Sequence, residues 1–189
     1  TLSLEAAFAK GAYVYTNRPV ATITQDNSSK VVDENKVIYL KNYRVPGMPQ
    51  TAATFGFNYN SPNFWFVSAN VNYYADNYVD INFDRRTAPA VDLVDKNENP
   101  ELFYKIIGQE KLPAQYTVDF LMGYSYRFAG KYIVGGTLSV GNALDNQDFI
   151  TSGFEQNRFD FVTKDVDKFP AKYWYGFGRN YSLNLYLRF

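Results

Sequence analysis

Residues 115–128 alternate strictly between two kinds of side chain, and this alternation constrains the fold more than any other feature. Every second position is apolar or aromatic: Tyr116, Val118, Phe120, Met122, Tyr124, Tyr126 and Phe128. The positions between them are mostly polar or small. A period of two is the pattern of a β-strand whose opposite faces meet different surroundings. Aromatic residues at both ends, with slimmer side chains between them, are typical of strands that cross an outer membrane.

Five further segments show the same alternation, near 2–16, 50–60, 63–80, 131–144 and 179–189. An aromatic content of 19% also favours strands. The first segment is less regular because Lys10 shares the apolar face. A β-bulge or a position at the wet rim of the sheet would each explain that lysine. The sequence therefore predicts an all-β chain of about six antiparallel strands.

Most of the charge lies between these segments. The stretches 17–49, 81–114 and 145–178 hold 29 of the 38 charged residues. Two tight connections, at 60–63 and 128–131, alternate with these long ones. Long connections at one end and short turns at the other are expected of a transmembrane β-barrel, whereas soluble domains have a median connection of about 4–6 residues.

Composition excludes several function classes. The chain has neither histidine nor cysteine, which removes the Ser-His-Asp triad, a catalytic cysteine and the common zinc sites. Its net charge is zero and its longest basic run is Arg85-Arg86, so nucleic-acid binding is not expected. The sequence offers no apolar run of the ~20 residues that a transmembrane helix needs, and its first residues lack the features of a signal peptide. We predict no catalytic residue, no metal site, no cofactor and no enzymatic activity.

Two architectures fit alternating strands: a soluble β-sandwich acting as a binding module and a segment of a membrane barrel. The Asn/Ser/Thr/Gly-rich polar faces, the alternating loop lengths and the aromatic final residue favour the barrel. Six strands cannot close alone, because each bare edge in hydrocarbon would expose unpaired backbone groups at several kcal/mol each. Either residues 1–189 are a piece of a larger barrel or other chains complete the ring, and we favour the first, in which they form part of one larger barrel domain.

Several stretches resemble the C-terminal part of TonB-dependent outer-membrane receptors, most closely the SusC-like kind. They are 39–44 (YLKNYR), 109–113 (QEKLP), 141–146 (GNALDN), 153–160 (GFEQNRFD) and 165–189. The resemblance implies that the six strands are the last six of a 22-stranded barrel, with the plug domain and the N-terminal strands absent from this chain. It also implies that the short turns and Phe189 face the periplasm while the charged stretches lie outside the cell.

The resemblance further implies import of a bulky nutrient, such as an oligosaccharide, a peptide or a metal chelate, across the bacterial outer membrane. The expected partners are outer-membrane lipid, the remaining barrel and plug, TonB through that absent plug, and a SusD-like surface lipoprotein. A non-importing structural or adhesive outer-membrane barrel is the alternative.

Three groups of candidate functional residues follow. The first is the last strand, which the resemblance implies is read by the insertion machinery: Tyr181, Leu183, Leu185, Leu187 and Phe189. The second consists of polar-face residues expected to face the barrel lumen: Asp119, Arg127, Asn184 and Arg188. The third consists of aromatic and charged loop residues that are candidates for ligand contact, with loop-to-loop packing as the favoured alternative role: Tyr104, Glu155, Arg158, Asp160 and Trp174.

Overall fold

The six segments predicted as strands pair into one antiparallel sheet in the computed structural model, which describes residues 1–25 and 27–189. The strands are Leu2–Lys10 (β1), Thr51–Asn60 (β4), Trp65–Ala75 (β5), Gln115–Phe128 (β6), Tyr132–Gly141 (β7) and Asn180–Arg188 (β10). Their order in the sheet, β1-β4-β5-β6-β7-β10, follows the chain. The prediction of an all-β antiparallel architecture is confirmed.

Three predicted segments, 2–16, 63–80 and 131–144, extend beyond the strands that form, the first two by the most. β1 ends at Lys10, and the next amide, of Gly11, donates to the carbonyl of Gln50 at 2.8 Å. β5 ends at Ala75 because Asp76 adopts a positive φ of 56°, which turns the chain out of the sheet. The β1 register runs to Lys10 without a shift, so Lys10 lies at the strand end and not at a bulge.

The three long connections contain secondary structure of their own. They add two short hairpins, one 3-10 helix and two α-helices to the chain. The hairpins are Val20–Thr24 (β2) with Val31–Val37 (β3), and Ile150–Phe154 (β8) with Lys172–Tyr175 (β9). The 3-10 helix is Phe83–Arg86, and the α-helices are Ala88–Val91 (α1) and Pro100–Ile107 (α2).

Helix α2 begins with a conventional N-terminal signal. The Asn99 side chain accepts a hydrogen bond from the Leu102 amide at 3.2 Å, and Pro100 occupies the first helical turn, where its missing N–H costs nothing. Ile106 points inward and is fully buried. Helix α2 therefore refines the prediction for 81–114, which the sequence pattern indicated only as a polar connection.

The buried apolar residues lie mainly among the long connections, not on the sheet. One cluster contains Ile38, Leu40 and Ile81, and a second contains Ala90, Val94 and Ile106. All three long connections follow strand ends on one side of the meander, and hydrogen bonds and ion pairs join them there. We call residues 11–50, 76–114 and 142–179 together the cap.

Strand register keeps the two faces of the sheet chemically separate. Residues paired directly across antiparallel strands point to the same face. One row across the whole sheet is apolar: Leu4, Phe57, Ala69, Phe120, Val140 and Tyr181. The next row is polar except at one position: Ser3, Asn58, Ser68, Leu121, Ser139 and Ser182.

Two aromatic residues on the polar face lie over glycines of the neighbouring strand. Phe66 pairs with Gly123 and Tyr186 pairs with Gly135. A Cβ at either glycine would overlap the facing ring. Glycine at these two positions therefore leaves the space that the rings of Phe66 and Tyr186 occupy.

Candidate functional site

The apolar face of the sheet is open to its surroundings. Tyr116, Met122 and Tyr126 on β6 are between 44% and 54% exposed, and Leu183 and Leu185 on β10 are 65% and 72% exposed. A β-sandwich would bury this face against a second sheet about 10 Å away. No such sheet covers it within residues 1–25 and 27–189. An apolar surface of this extent is uncommon on soluble monomers and marks a contact with membrane or protein.

Aromatic side chains gather at both ends of this face. At the short-turn end, the rings of Tyr59 and Trp65 lie 5.1 Å apart and those of Phe128 and Tyr132 lie 5.2 Å apart. Tyr73 and Tyr116 form a cross-strand pair near the cap. The middle of the face contains Phe55, Phe57 and Phe120 together with aliphatic side chains: Val67, Ala69, Val71, Val118, Met122, Leu138 and Leu183.

A chain of hydrogen bonds crosses the polar face near the cap. The Thr54 hydroxyl donates to the Asn72 side chain at 2.9 Å, and the Asn72 amide donates to the Asp119 carboxylate at 2.7 Å. The other carboxylate oxygen of Asp119 accepts from the Asn142 amide at 2.8 Å. Asp119, a predicted lumen residue, thus ties the polar face to the connection that follows β7.

The other lumen candidates lie on the same polar face. Arg127 and Arg188 both pair with Ile133, from its two sides, and Asn184 pairs with Thr137. The Arg188 guanidinium stands 5.6 Å from the ring centroid of Tyr186. Neither arginine has a carboxylate partner within the described part of the chain. The face they share agrees with the prediction, but a lumen role stays a prediction.

The cap is organised around a buried ion cluster. Arg86 pairs with Glu155 through both guanidinium nitrogens, and Arg85 approaches the same carboxylate at 3.3 Å. The two arginines also bind the carbonyls that end helix α2, Arg85 at Ile106 and Arg86 at Gly108. Cations are favoured at a helix C-terminus. Burial lowers the pKa of the Arg85 guanidinium and Glu155 opposes that shift.

The five loop candidates have different surroundings. The Glu155 carboxylate is buried among Arg85, Arg86 and the Asn82 amide, which donates to it at 2.8 Å. A ligand that reached Glu155 would have to displace these partners. Tyr104, in contrast, is 54% exposed on helix α2.

The remaining loop candidates lie near the second hairpin and the turn after it. Trp174 is largely exposed and packs against Phe154 with ring centroids 5.0 Å apart. The Arg158 guanidinium lies 6.0 Å from the ring centroid of Phe169. Lys168 and the turn amides hold the pKa of the Asp160 carboxyl well below its usual range. The ligand roles of these side chains stay predictions.

The last strand presents its predicted side chains as expected. Tyr181, Leu183, Leu185 and Leu187 follow the apolar face, and Phe189 lies just beyond β10 and is 90% exposed. The outer edge of β10 has no partner strand among the described residues. The role of this strand in membrane insertion stays a prediction.

Sequence reasoning missed the ion cluster that organises the cap: it identified Glu155 only as a candidate ligand contact and did not connect it with Asn82 or Arg86. Asn82, Arg86 and Glu155 come from two different connections and meet only in three dimensions. The Arg85-Arg86 run is visible in the sequence, where its interpretation was limited to nucleic-acid binding. A pair of arginines in an otherwise mixed loop is the one cue that could have identified the cluster.

A second polar link joins the β8–β9 hairpin to the connection after α2, and it predicts a pH effect. The Tyr173 hydroxyl donates to both Glu110 carboxylate oxygens, at 2.7 and 2.8 Å. Burial, followed by this hydrogen bond, raises the pKa of Tyr173 to about 12. An unfolded tyrosine titrates near ~10, so this stabilising contribution is complete below about pH 10 and lost as pH rises towards 12.

The measurement is a spectrophotometric titration of tyrosinate in the protein and in its Tyr173→Phe variant. Their difference is expected to show one phenol ionising near pH 12. Glu110→Gln, which removes the charge and keeps the side-chain length, is expected to move that step to lower pH. A Tyr173 step at an ordinary tyrosine pKa would contradict the assignment.

None of the helices in the described residues combines the length and hydropathy needed to cross a bilayer. Comparisons with protein-family models, with curated proteins and with solved structures found no match to this chain.

Proposed function

We propose that this chain forms the last six strands of a 22-stranded outer-membrane barrel, that of a TonB-dependent importer of the SusC-like kind. The observation that carries the proposal is the continuous exposed apolar face, which runs across all six strands in one register. Hydrocarbon is a suitable environment for such a face, and the polar face then lines the lumen.

The dimensions of the apolar face support this proposal. Tyr116 and Phe128 mark its aromatic ends on β6 and are twelve residues apart. Twelve residues rise about 40 Å, and a tilt of about 45° reduces this to about 28 Å. The apolar band of an outer-membrane barrel is about 25 Å tall.

The sheet edges require neighbours under this proposal. The outer edges of β1 and β10 lack partner strands among the described residues. In hydrocarbon such edges would cost on the order of tens of kcal/mol, because each unpaired backbone group costs several. The remaining strands of the barrel are proposed to cover both edges.

The proposed activity is passage of a bulky nutrient through the polar lumen, with no covalent chemistry. The cap, at the end of the sheet opposite the short turns, is proposed to face the outside and meet the nutrient. The proposed partners are outer-membrane lipid, a plug domain that couples to TonB, and a SusD-like surface lipoprotein.

Paired labelling sites test the membrane orientation. The chain has no cysteine, so single cysteines can carry a nitroxide label at chosen positions. Phe57→Cys and Leu183→Cys sample the apolar face, and their neighbours Asn58→Cys and Ser182→Cys sample the polar face. In outer membranes of cells producing the intact gene product, the first pair is expected to be accessible to oxygen and protected from a water-soluble nickel chelate. Equal chelate accessibility at all four sites would contradict the proposal.

Nutrient uptake separates an importer from a non-importing barrel. Cells with the gene disrupted are compared with intact cells when an oligosaccharide, a peptide or a metal chelate is the limiting nutrient. Uptake of one class is expected to require both the gene and the proton-motive force, measured by adding an uncoupler. If the labelled protein lies in the membrane and disruption leaves every uptake unchanged, the structural or adhesive alternative is favoured.

A further inference from the structure

The cap contains a cavity of about 500 Å³ between the segment 39–43, the arginine pair and helix α2. This volume lies within the range of about 300–1,000 Å³ that small-molecule sites occupy. The residues that give it chemical character are Tyr39, Lys41, Tyr43, Arg85, Arg86 and Phe103. The cavity is separate from the sheet faces, and none of the candidate residues predicted from the sequence lines it.

The polar part of the cavity is cationic. Lys41, Arg85 and Arg86 line it, and no carboxylate does. Glu155 offsets part of this charge from behind the arginines. Lys41 is exposed and has no ion-pair partner within residues 1–25 and 27–189. Arg18 does not line the cavity, but its guanidinium lies 5.1 Å from the ring centroid of Tyr39, which does.

One buried donor of the cluster has no acceptor. The Arg86 side chain is fully buried, and its Nε–H is the one buried side-chain polar group that lacks a hydrogen-bond partner among the described residues. Its other two nitrogens already bind Glu155, Gly108 and Asn82. Because the Arg86 side chain is 0% exposed, it contributes positive charge to the cavity wall but no donor that a ligand can reach.

The rest of the wall is aromatic and aliphatic. Tyr39, Tyr43 and Phe103 contribute rings, and Val91 and Ile107 contribute aliphatic surface. The Tyr43 hydroxyl donates to the Ile107 carbonyl at 2.5 Å, which fixes its ring in the wall. A bare inorganic anion would leave this surface without contacts, whereas a ring with an attached acidic group would use both parts of the site.

We propose that this cavity binds a ligand that carries a carboxylate on a ring, as an acidic (uronate) sugar does. The carboxylate interacts with Lys41 and Arg85, and the ring packs against Tyr39 and Phe103. The inference rests on the proposed function in one respect only, that the ligand is the imported nutrient; binding itself is measured independently of uptake.

The test is calorimetric titration of the detergent-purified intact gene product with digalacturonate, its dimethyl ester and inorganic phosphate. Digalacturonate is expected to bind at least about tenfold more tightly than the uncharged ester, and its affinity is expected to fall with salt. Lys41→Gln is expected to weaken digalacturonate binding by about tenfold, and Tyr39→Ala to weaken it without changing the salt dependence. Lys172→Gln, at another exposed lysine without an ion-pair partner among the described residues, is the matched control and is expected to leave the affinity unchanged.

Three results would overturn the inference: equal affinity for the acid and its ester, no effect of Lys41→Gln, or phosphate binding as tightly as digalacturonate. Measuring nutrient uptake distinguishes a failure of this ligand-binding inference from a failure of the proposed function. Import of a neutral nutrient without digalacturonate binding would support the proposed import function and contradict the acidic-ligand site. Digalacturonate binding without any gene-dependent uptake would support the acidic-ligand site and contradict the import function.

Discussion

Met122→Arg is expected to destabilise the protein in its membrane by about 2–4 kcal/mol and to reduce the amount that inserts. Met122 lies in the middle of the apolar face, between Val67 and Leu138 on the neighbouring strands. Under the proposed function this position meets hydrocarbon, where a guanidinium loses most of its hydration and finds no partner.

The adjacent residue supplies a matched control. Leu121 is 36% exposed and Met122 is 44% exposed, so both are apolar side chains of similar accessibility on the same strand. Leu121 lies on the polar face between Ser68 and Ser139, and Leu121→Arg is expected to be tolerated.

The measurement is denaturant unfolding in lipid vesicles, together with the fraction of folded protein recovered from outer membranes. A soluble protein would tolerate both substitutions within about 0.5 kcal/mol, as exposed positions usually do. Equal effects of the two substitutions would therefore contradict a lipid-facing role for the apolar face. The two substitutions are one residue apart on the same strand, so they place the same new side chain on opposite faces of the sheet.

Arg86→Ala is expected to destabilise the cap by about 3–5 kcal/mol, because it leaves the Glu155 carboxylate buried with only part of its charge compensated. Arg86 also binds the carbonyls of Asn82 and Gly108, so the end of helix α2 loses a partner as well. The six-stranded sheet shares no side chain with this cluster and is expected to keep its pairing.

Hydrogen exchange with mass spectrometry separates these two outcomes. Peptides covering Tyr39, Asn82 and Glu155 are expected to lose protection, since their amides bond within or beside the cluster, while peptides from β5 and β6 keep theirs. Lys105→Ala is the control, because its ion pair with Asp167 is exposed and such pairs contribute about 0–1 kcal/mol. A loss of protection no larger than that of Lys105→Ala would show that the cluster does not hold the cap together.

The sequence predicted the sheet well because the signal for each strand is local. In β6, apolar residues at every second position from Tyr116 to Phe128 indicate directly which face of the strand is apolar. The structure places all seven of them on one face. Strand limits were less accurate where the alternation continued past the sheet. Residues 11–16 continue as extended chain beside 43–50, so the apolar pattern there reflects packing in the cap and not in the sheet.

The cap was poorly predicted because its contacts are distant in the sequence. Glu155 has the local sequence of a loop carboxylate free to bind ligand, yet it is buried by an arginine 69 residues away. Lys41, Arg85 and Phe103 come from two separate connections, and nothing in their local sequence indicates that they surround one cavity. The polar chain from Thr54 through Asn72 to Asp119 likewise exists only because the strand register places those residues side by side.

Alternation along the chain determined by itself the six strands of the main sheet, which side of each is apolar, and that long and short connections alternate between them. A period of two can be recognised without knowing the partner strand, because successive side chains of an extended chain point in opposite directions. The tertiary structure decided the rest: the shared register that joins six apolar stripes into one open surface, and the folding of three charged connections into a cap. Those outcomes depend on which distant polar groups form hydrogen bonds or ion pairs with each other when both are buried. The spacing of residues along the chain does not specify those pairs.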